Sequence, residues 1–344
     1  MSSFSPDLTV IIPARDEART LPRCLEGIQG QVYKGRVRIL VIDSGSTDGT
    51  PDLAARLGAV VMRIPPEEFS HGRTRQRAAE KAQDELLVFT VADAVPADSS
   101  WLARLVAPLA DPRVAGSFGV QAVPDGPGVD PFARWVARKQ ERLGDRVELF
   151  PAKEDWDQLS PRRKRRAANF DNCSSCVRRS LLLGGFPFPD VPYGEDMFWA
   201  AGVLRAGYGI ARAPGARVVH YHRNSFAYLF RRMLLDARLC RDRFGFRPVP
   251  NAAILAARWL LLAVKVSTIA GLLGPGIPWY RIDRRAVWWV RDLWAESGGL
   301  LGKYCGGFPS PEDVPSWRPL RKALARMAER RLGMTRRLHR DDFA

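Results

Sequence analysis

The sequence predicts an α/β fold built on a doubly wound, mostly parallel sheet with a C-terminal helical extension. Three observations carry that expectation. Short apolar runs at residues 8–12, 39–42, 60–64, 86–91 and 114–121 alternate with helical stretches, the order that gives parallel strands joined by helical crossovers. Two of the runs lead into an acid, Asp43 and Asp93, which would stand at the carboxyl edge of the sheet, where open α/β folds bind ligands. After Ser225 the alternation stops and helical patterns take over, so the expected division is residues 1–225 and 226–344.

The first run is closed by Pro13, and the polar turn Ala14, Arg15, Asp16, Glu17 precedes a helical pattern with Leu21, Leu25 and Ile28 on one face. The second run enters a turn of small and acidic residues, Asp43 to Thr50, whose glycines and serines let a ligand approach the backbone, with Asp48 as a second polar contact. Thr50 and Pro51 read as the N-cap and first residue of a helix ending at Gly58. Residues 71–83 interleave Arg73, Arg75, Arg77 and Lys81 with Ala78, Ala79 and Ala82, as expected of a basic-faced helix that brings positive charge to the acidic edge. Trp101, Leu105 and Leu109 mark a further amphipathic helix before the fifth strand.

The chain of 344 residues is 46% hydrophobic and 26% charged, a globular composition, and its net charge of +16 suits a phosphate-bearing ligand, an anionic lipid surface or nucleic acid. Five scattered cysteines do not form a disulfide framework, and the N-terminus lacks a secretory pattern, so a cytoplasmic setting is expected. Cys173 and Cys176 form a lone CxxC without a second pair or nearby histidines, which argues against zinc and redox chemistry. Two acids and an arginine-rich helix at one edge fit a nucleotide diphosphate with a divalent metal. There is no GxGxxG, and Gly302-Lys303 is followed by Tyr304 rather than Ser or Thr, so dinucleotide and phosphate-loop folds are set aside.

Four motifs in order, Val10-Ile11-Ile12-Pro13 with Glu17, residues 41–50 (VIDSGSTDGT), Asp93, and Gly194-Glu195-Asp196, resemble those of family-2 glycosyltransferases of GT-A fold. The resemblance runs from about Leu8 to Ser225. Residues 69–75 (FSHGRTR) and the pair His220 and His222 further resemble the rhamnosyltransferase branch. The resemblance implies an inverting transfer of a sugar, with L-rhamnose from dTDP-L-rhamnose as the lean, to a hydroxyl of a surface glycan or lipid-linked saccharide. It implies that Asp43 bonds the nucleotide base, with Pro13, Arg15 and Glu17 shaping that pocket and Arg75 near the nucleotide. Asp93 matches the last acid of the metal motif, although Val91 and Ala92 replace the first one. Mg²⁺ or Mn²⁺ would be held by Asp93 with His220 or His222, the sequence leaving open which. Asp196 matches the general base, with Glu195 in support.

Asn172 and Trp156 are the acceptor-side candidates, and Asn172 shares its segment with Arg178 and Arg179. A lone tryptophan is also an ordinary core residue. A basic nucleic-acid-binding protein is one alternative, but no recognition motif supports it and no nucleic acid is expected. A nucleotidyltransferase making the activated sugar is another, and it lacks the glycine-rich loop expected after the first strand. Beyond Ser225, residues 252–273 are apolar apart from Arg258 and Lys265. Those charges make a membrane-spanning helix costly, so a helix lying in an anionic membrane interface is expected, with Trp259, Trp279, Trp288, Trp289 and Trp294 nearby and a basic tail over residues 318–340. A buried helix or a dimer contact is the alternative.

Overall fold

A computed structural model describes residues 4–124, 129, 131–141, 146–150, 156–222, 224–272 and 282–307. The chain forms two compact units, Met1–Val129 with Ala133–His222, and Asp130–Phe132 with Arg223–Ala344. The basic tail over residues 318–340 and Trp279 lie outside the described residues, as do the side chains of Trp288 and Trp289.

The first unit opens with β1 (Leu8–Ala14), α1 (Leu21–Gln29), β2 (Val37–Asp43), α2 (Thr50–Arg56), β3 (Val60–Arg63), α3 (His71–Lys81) and β4 (Leu86–Thr90). These elements match the expected alternation, and β1, β2, β3 and β4 pair in parallel. Short β5 (Val95–Pro96), α4 (Trp101–Val106) and β6 (Val114–Ala122) follow, then α5 (Pro131–Glu141), β7 (Glu148–Phe150), α6 (Pro161–Ala167), β8 (Ser174–Arg178), α7 (Arg179–Leu183), α8 (Glu195–Arg205) and β9 (Gly209–Val219).

The sheet order is β3-β2-β1-β4-β8-β6-β9-β5, with β7 also on β9. Strand β8 runs antiparallel to both β4 and β6, and β6 runs parallel to β9. It follows that β1, β2, β3, β4, β6 and β9 all point the same way, and the sheet is mostly parallel despite the strand inserted in its middle. The carboxyl ends of β2, β4, β6 and β9 and the amino end of β8 therefore share one edge.

On one face of the sheet Leu8, Val10, Ile12 and Val41 pack with Leu21, Cys24, Leu25 and Ile28 of α1 and Trp101, Leu102 and Leu105 of α4. Alternate strand residues facing one layer of helices give this core. The Trp101 indole donates to Ser174 Oγ at 2.9 Å, satisfying a buried polar atom inside that layer.

One residue shifts against expectation at α2. Gly49, at φ +84°, holds the N-cap position, so Thr50 and Pro51 begin the helix itself. The Thr50 hydroxyl, fully buried, bonds Asp48 at 2.5 Å and accepts the Glu17 amide at 2.8 Å. Asp48 in turn accepts the Ala18 amide at 2.9 Å. Its carboxylate thus ties the β1 loop to the β2 loop instead of standing free for a ligand.

The second unit contains α9 (Phe226–Phe244), α10 (Ala252–Leu272) and α11 (Ile282–Gly306). Gly298, Gly302 and Gly306 of α11 lie on the backbone carbonyls of Phe226, Phe230 and Leu234 of α9, where a Cβ would come within 2.4, 2.2 and 2.2 Å of those oxygens. Helix α10 turns Leu255 and Leu262 inward, whereas Trp259, Leu260, Leu261 and Val264 are exposed. Asn251 accepts the Ile254 amide at 2.9 Å as a helix cap, and Arg258 is half-buried. Among the described residues no helix is long and apolar enough to cross a membrane.

Candidate active site

Asp43 ends β2 and is 3% exposed. Its carboxylate accepts the backbone amides of Gly45 at 3.2 Å and Ser46 at 3.3 Å, so the turn that follows the strand is folded around it. Pro13 and Arg15 flank the neighbouring strand end, where Ala14 is in register with Asp43. Glu17 accepts a hydrogen bond from the Thr20 hydroxyl. Burial pushes the Glu17 carboxyl up, Thr20 opposes that, and the nearby charge of Asp93 adds to it.

Asp93 follows β4, and His220 and His222 follow β9. One ligand atom from each of the three residues can be chosen so that all lie within 4.8 Å of one another. His220 Nε2 is 3.3 Å and His222 Nε2 is 2.9 Å from the Asp93 carboxylate, and the two Nε2 atoms are 2.8 Å apart. Both histidines thus converge on Asp93 from just beyond the strand. Burial works against ionisation of Asp93, but the two imidazoles beside it outweigh that and hold the carboxyl below the usual range.

Nitrogen and oxygen lone pairs facing one another at this spacing are stable only with positive charge between them, a proton or a cation. Adjacent ligands of an octahedral Mg²⁺ with bonds of about 2.1 Å stand about 3 Å apart. The residues present fit a divalent ion.

Glu195 and Asp196 form the first turn of α8 after Gly194, the N-cap residue at φ +78°. The two acids meet opposite surroundings. Glu195 is buried, receives Arg75 Nη1 at 2.8 Å and accepts the Asn172 side-chain amide at 3.2 Å. Asp196 accepts the Asn172 backbone amide at 3.3 Å and the Met197 amide at 2.8 Å. Although the residue keeps some accessible surface, its carboxyl is closed in. Burial, together with the negative charges of Glu195 and Asp171, raises its proton affinity well above that of an ordinary carboxylate, against the pull of the Met197 amide and Arg75.

Arg75 therefore differs from expectation. Its guanidinium is buried and committed to Glu195, because an arginine this enclosed requires an anion beside it. Two other cations of α3 are also matched by acids: Arg77 pairs with Glu68, and Arg73 lies 3.8 Å from Asp190. The FSHGRTR motif docks α3 against the loop before α8. Ser70 caps the helix through the Arg73 amide and bonds Asp190 at 2.5 Å. A Cβ on Gly72 would sit 1.9 Å from the Pro189 carbonyl oxygen, so only glycine permits that approach.

Asn172 lies in the site, its side chain bridging Glu195 and the Ser175 hydroxyl at 2.8 Å. Trp156 sits in a short helical turn with the Lys164 ammonium 6.0 Å from its ring, half-buried. Arg178 and Arg179, read with the acceptor segment, are directed elsewhere. Arg178 donates to the carbonyls of Leu109, Asp111 and Val114, and Arg179 to those of Ala79 and Glu80. All five cysteines are free thiols; Cys176 is buried within β8 and Cys173 is buried just before it.

Two residues of the site were not foreseen. Gln121, at the end of β6, lies 2.9 Å from His220 Nδ1 through Oε1 and donates through Nε2 to Asp171 at 2.7 Å. Asp171 precedes β8 and also accepts the Cys173 amide at 3.0 Å. The only sequence signal for either is position, a polar side chain at a strand terminus on the ligand-binding edge.

A family model described as glycosyl transferase family 2 matches residues 9–168. The O-antigen chain rhamnosyltransferase RfbN of Salmonella typhimurium is 32% identical over 220 residues, covering 62% of this chain and 66% of that protein. The O-antigen chain rhamnosyltransferase WbaN of Salmonella anatum is 31% identical over 188 residues, 54% of this chain and 56% of that protein. The matches thus span less than two thirds of these relatives' own length. Among solved structures, the mannosyltransferase PcManGT from Pyrobaculum calidifontis in complex with GDP-Man and Mn²⁺ aligns with 98% of this chain and 83% of its own at 20% identity and a TM-score of 0.48. The first three of the ordered motifs lie within the match over residues 9–168, so that segment is glycosyl transferase family 2 sequence, and the chain resembles the family's rhamnosyltransferase branch.

Proposed function

We propose that this protein transfers a sugar from a nucleotide sugar to an acceptor hydroxyl in a single inverting displacement. The observation that carries the reading is the meeting of two kinds of group at one sheet edge: the Asp93, His220 and His222 cluster, and Asp196 with its raised proton affinity. In this reading Asp93, His220 and His222 hold Mg²⁺ or Mn²⁺, which when bound supplies positive charge against the leaving diphosphate.

Asp43 receives the ring N–H of the nucleotide base. Its two amide bonds leave carboxylate lone pairs for that contact. Pro13, Arg15 and Glu17 complete the pocket. Asp196 takes the proton of the acceptor hydroxyl, a task suited to a carboxylate whose proton affinity burial and neighbouring negative charge have raised. Glu195 is a positioning residue: bonded to Arg75 and Asn172, it anchors the start of α8 and keeps a fixed negative charge beside the base. Asn172 and Trp156 serve the acceptor side. The rhamnosyltransferase names of the relatives favour dTDP-L-rhamnose as donor, with a surface glycan or lipid-linked saccharide as acceptor.

The exposed apolar face of α10 supports a peripheral seat on the cytoplasmic face of a membrane. Leu260 and Leu261 of α10 are 63% and 59% exposed, and Trp294 of α11 is 62% exposed, an arrangement suited to burial at a lipid interface.

A thermal-shift panel of nucleotide sugars with Mg²⁺ or Mn²⁺ tests the reading. A ligand at ~100 times its dissociation constant adds about 2.7 kcal/mol of stability, and dTDP-L-rhamnose is expected to give the largest shift. No shift with any nucleotide sugar would refute the enzymatic reading, whereas a shift with another sugar would change only the donor.

A further inference from the structure

We propose that Gln121 and Asp171 form a positioning relay that fixes His220 in the tautomer whose Nε2 is free to ligate a cation. The inference rests on the reading of Asp93, His220 and His222 as a cation site, and goes beyond it by assigning work to two residues outside that cluster.

Asp171 sets the direction of the chain of hydrogen bonds. An ionised carboxylate only accepts hydrogen bonds, and Asp171 Oδ1 already receives the Cys173 amide. The Gln121 group 2.7 Å from Oδ2 must therefore be the amide nitrogen, which removes the usual ambiguity between the two ends of a glutamine. With the nitrogen so placed, Gln121 Oε1 faces His220 Nδ1 at 2.9 Å, and an oxygen acceptor there requires a hydrogen on Nδ1. A neutral imidazole protonated at Nδ1 carries its lone pair at Nε2. That atom is the one directed at Asp93 and His222.

Backbone geometry holds the relay in place. Gln121 and Ala122 are in register with Val218 and Val219, and the His220 amide donates to the Ala122 carbonyl at 3.0 Å. Asp171 and Asn172 enter the same edge at the start of β8, and the Thr90 hydroxyl of β4 donates to the Cys173 carbonyl at 3.0 Å. Three strands thus hold the relay from separate directions. Groups that orient a ligating histidine typically matter by 10- to 100-fold in metal affinity.

The test uses the full chain, whose four histidines keep an imidazole ¹⁵N spectrum simple. In the metal-free wild type, His220 is expected to carry its proton on Nδ1. Gln121→Met, close in volume, and Asp171→Asn, which frees the glutamine to turn over, should both mix the tautomers and weaken Mn²⁺ binding about 10- to 100-fold by paramagnetic titration. A wild-type His220 without a hydrogen on Nδ1, or two folded variants that bind Mn²⁺ as the wild type does, would overturn the relay alone, provided Asp93→Ala loses the ion. A wild type that binds no Mn²⁺ would instead overturn the cation site and, with it, the ligand role given to the relay. The wild-type tautomer measurement needs no variant, so it decides the first half of the proposal even where a substitution disturbs folding.

Discussion

Glu195 and Asp196 are adjacent on one helical turn, and their partners separate their roles. Glu195 has the Arg75 guanidinium, while Asp196 has backbone amides and two negative neighbours. Asp196→Asn keeps size and one of the two amide bonds the carboxylate accepts but cannot take a proton, so donor binding should survive while turnover falls by roughly 10² to 10⁴. Stability should move in the opposite direction. A carboxyl whose folded-state pKa is raised binds its proton more tightly in the native protein, so it costs stability as pH rises above its unfolded pKa. Asp196→Asn should accordingly unfold at a higher temperature than the wild type near neutral pH. The gap should close as the pH falls toward the ordinary carboxylate range, and a constant gap would show that the group is not perturbed. Arg75→Met leaves Glu195 buried without its cation and should cost about 3–5 kcal/mol in denaturant titration. The acid pair was legible from its place after Gly194, but the role of Arg75 was not, because its partner lies 120 residues away in sequence.

The elements were legible where their signal is local. Apolar runs and turns marked β1, β2, β4 and α1, because period and punctuation are properties of a few neighbouring residues. The insertion of β8 between β4 and β6 was not legible, since it depends on antiparallel pairing of distant segments. That insertion brings Asp171 and Asn172 to the edge, and for the same reason Gln121 escaped notice: its contacts with Asp171 and His220 span 50 and 99 residues. The Gly302-Lys303 pair, dismissed as a phosphate loop, belongs to the contact between α11 and α9. Gly302→Val would force a side chain onto the Phe230 carbonyl, and overpacking of this kind costs about 1–3 kcal/mol. Denaturant unfolding should register that loss, and a variant as stable as the wild type would contradict the close packing of the two helices.

At the scale of the whole molecule, the proposed seat on an anionic lipid surface draws on the net charge of +16 and the exposed face of α10. The protein should float with anionic vesicles and partly release as salt rises, because charge attraction decays over a Debye length of about 8 Å at physiological salt. Leu261→Glu should weaken the salt-resistant remainder, and a protein that ignores vesicles at low salt would return α10 to the role of a self-association surface. The transfer reading is independent of that result, since it depends on the edge where Asp43, Asp93 and Asp196 meet. Its most direct test is a calorimetric titration of dTDP-L-rhamnose into wild-type protein and Asp93→Ala, each with Mn²⁺ and with chelator. Binding is expected in the wild type with Mn²⁺, much weaker with chelator, and equally weak for Asp93→Ala in both conditions. Equal binding by the two proteins whatever the cation would contradict the account.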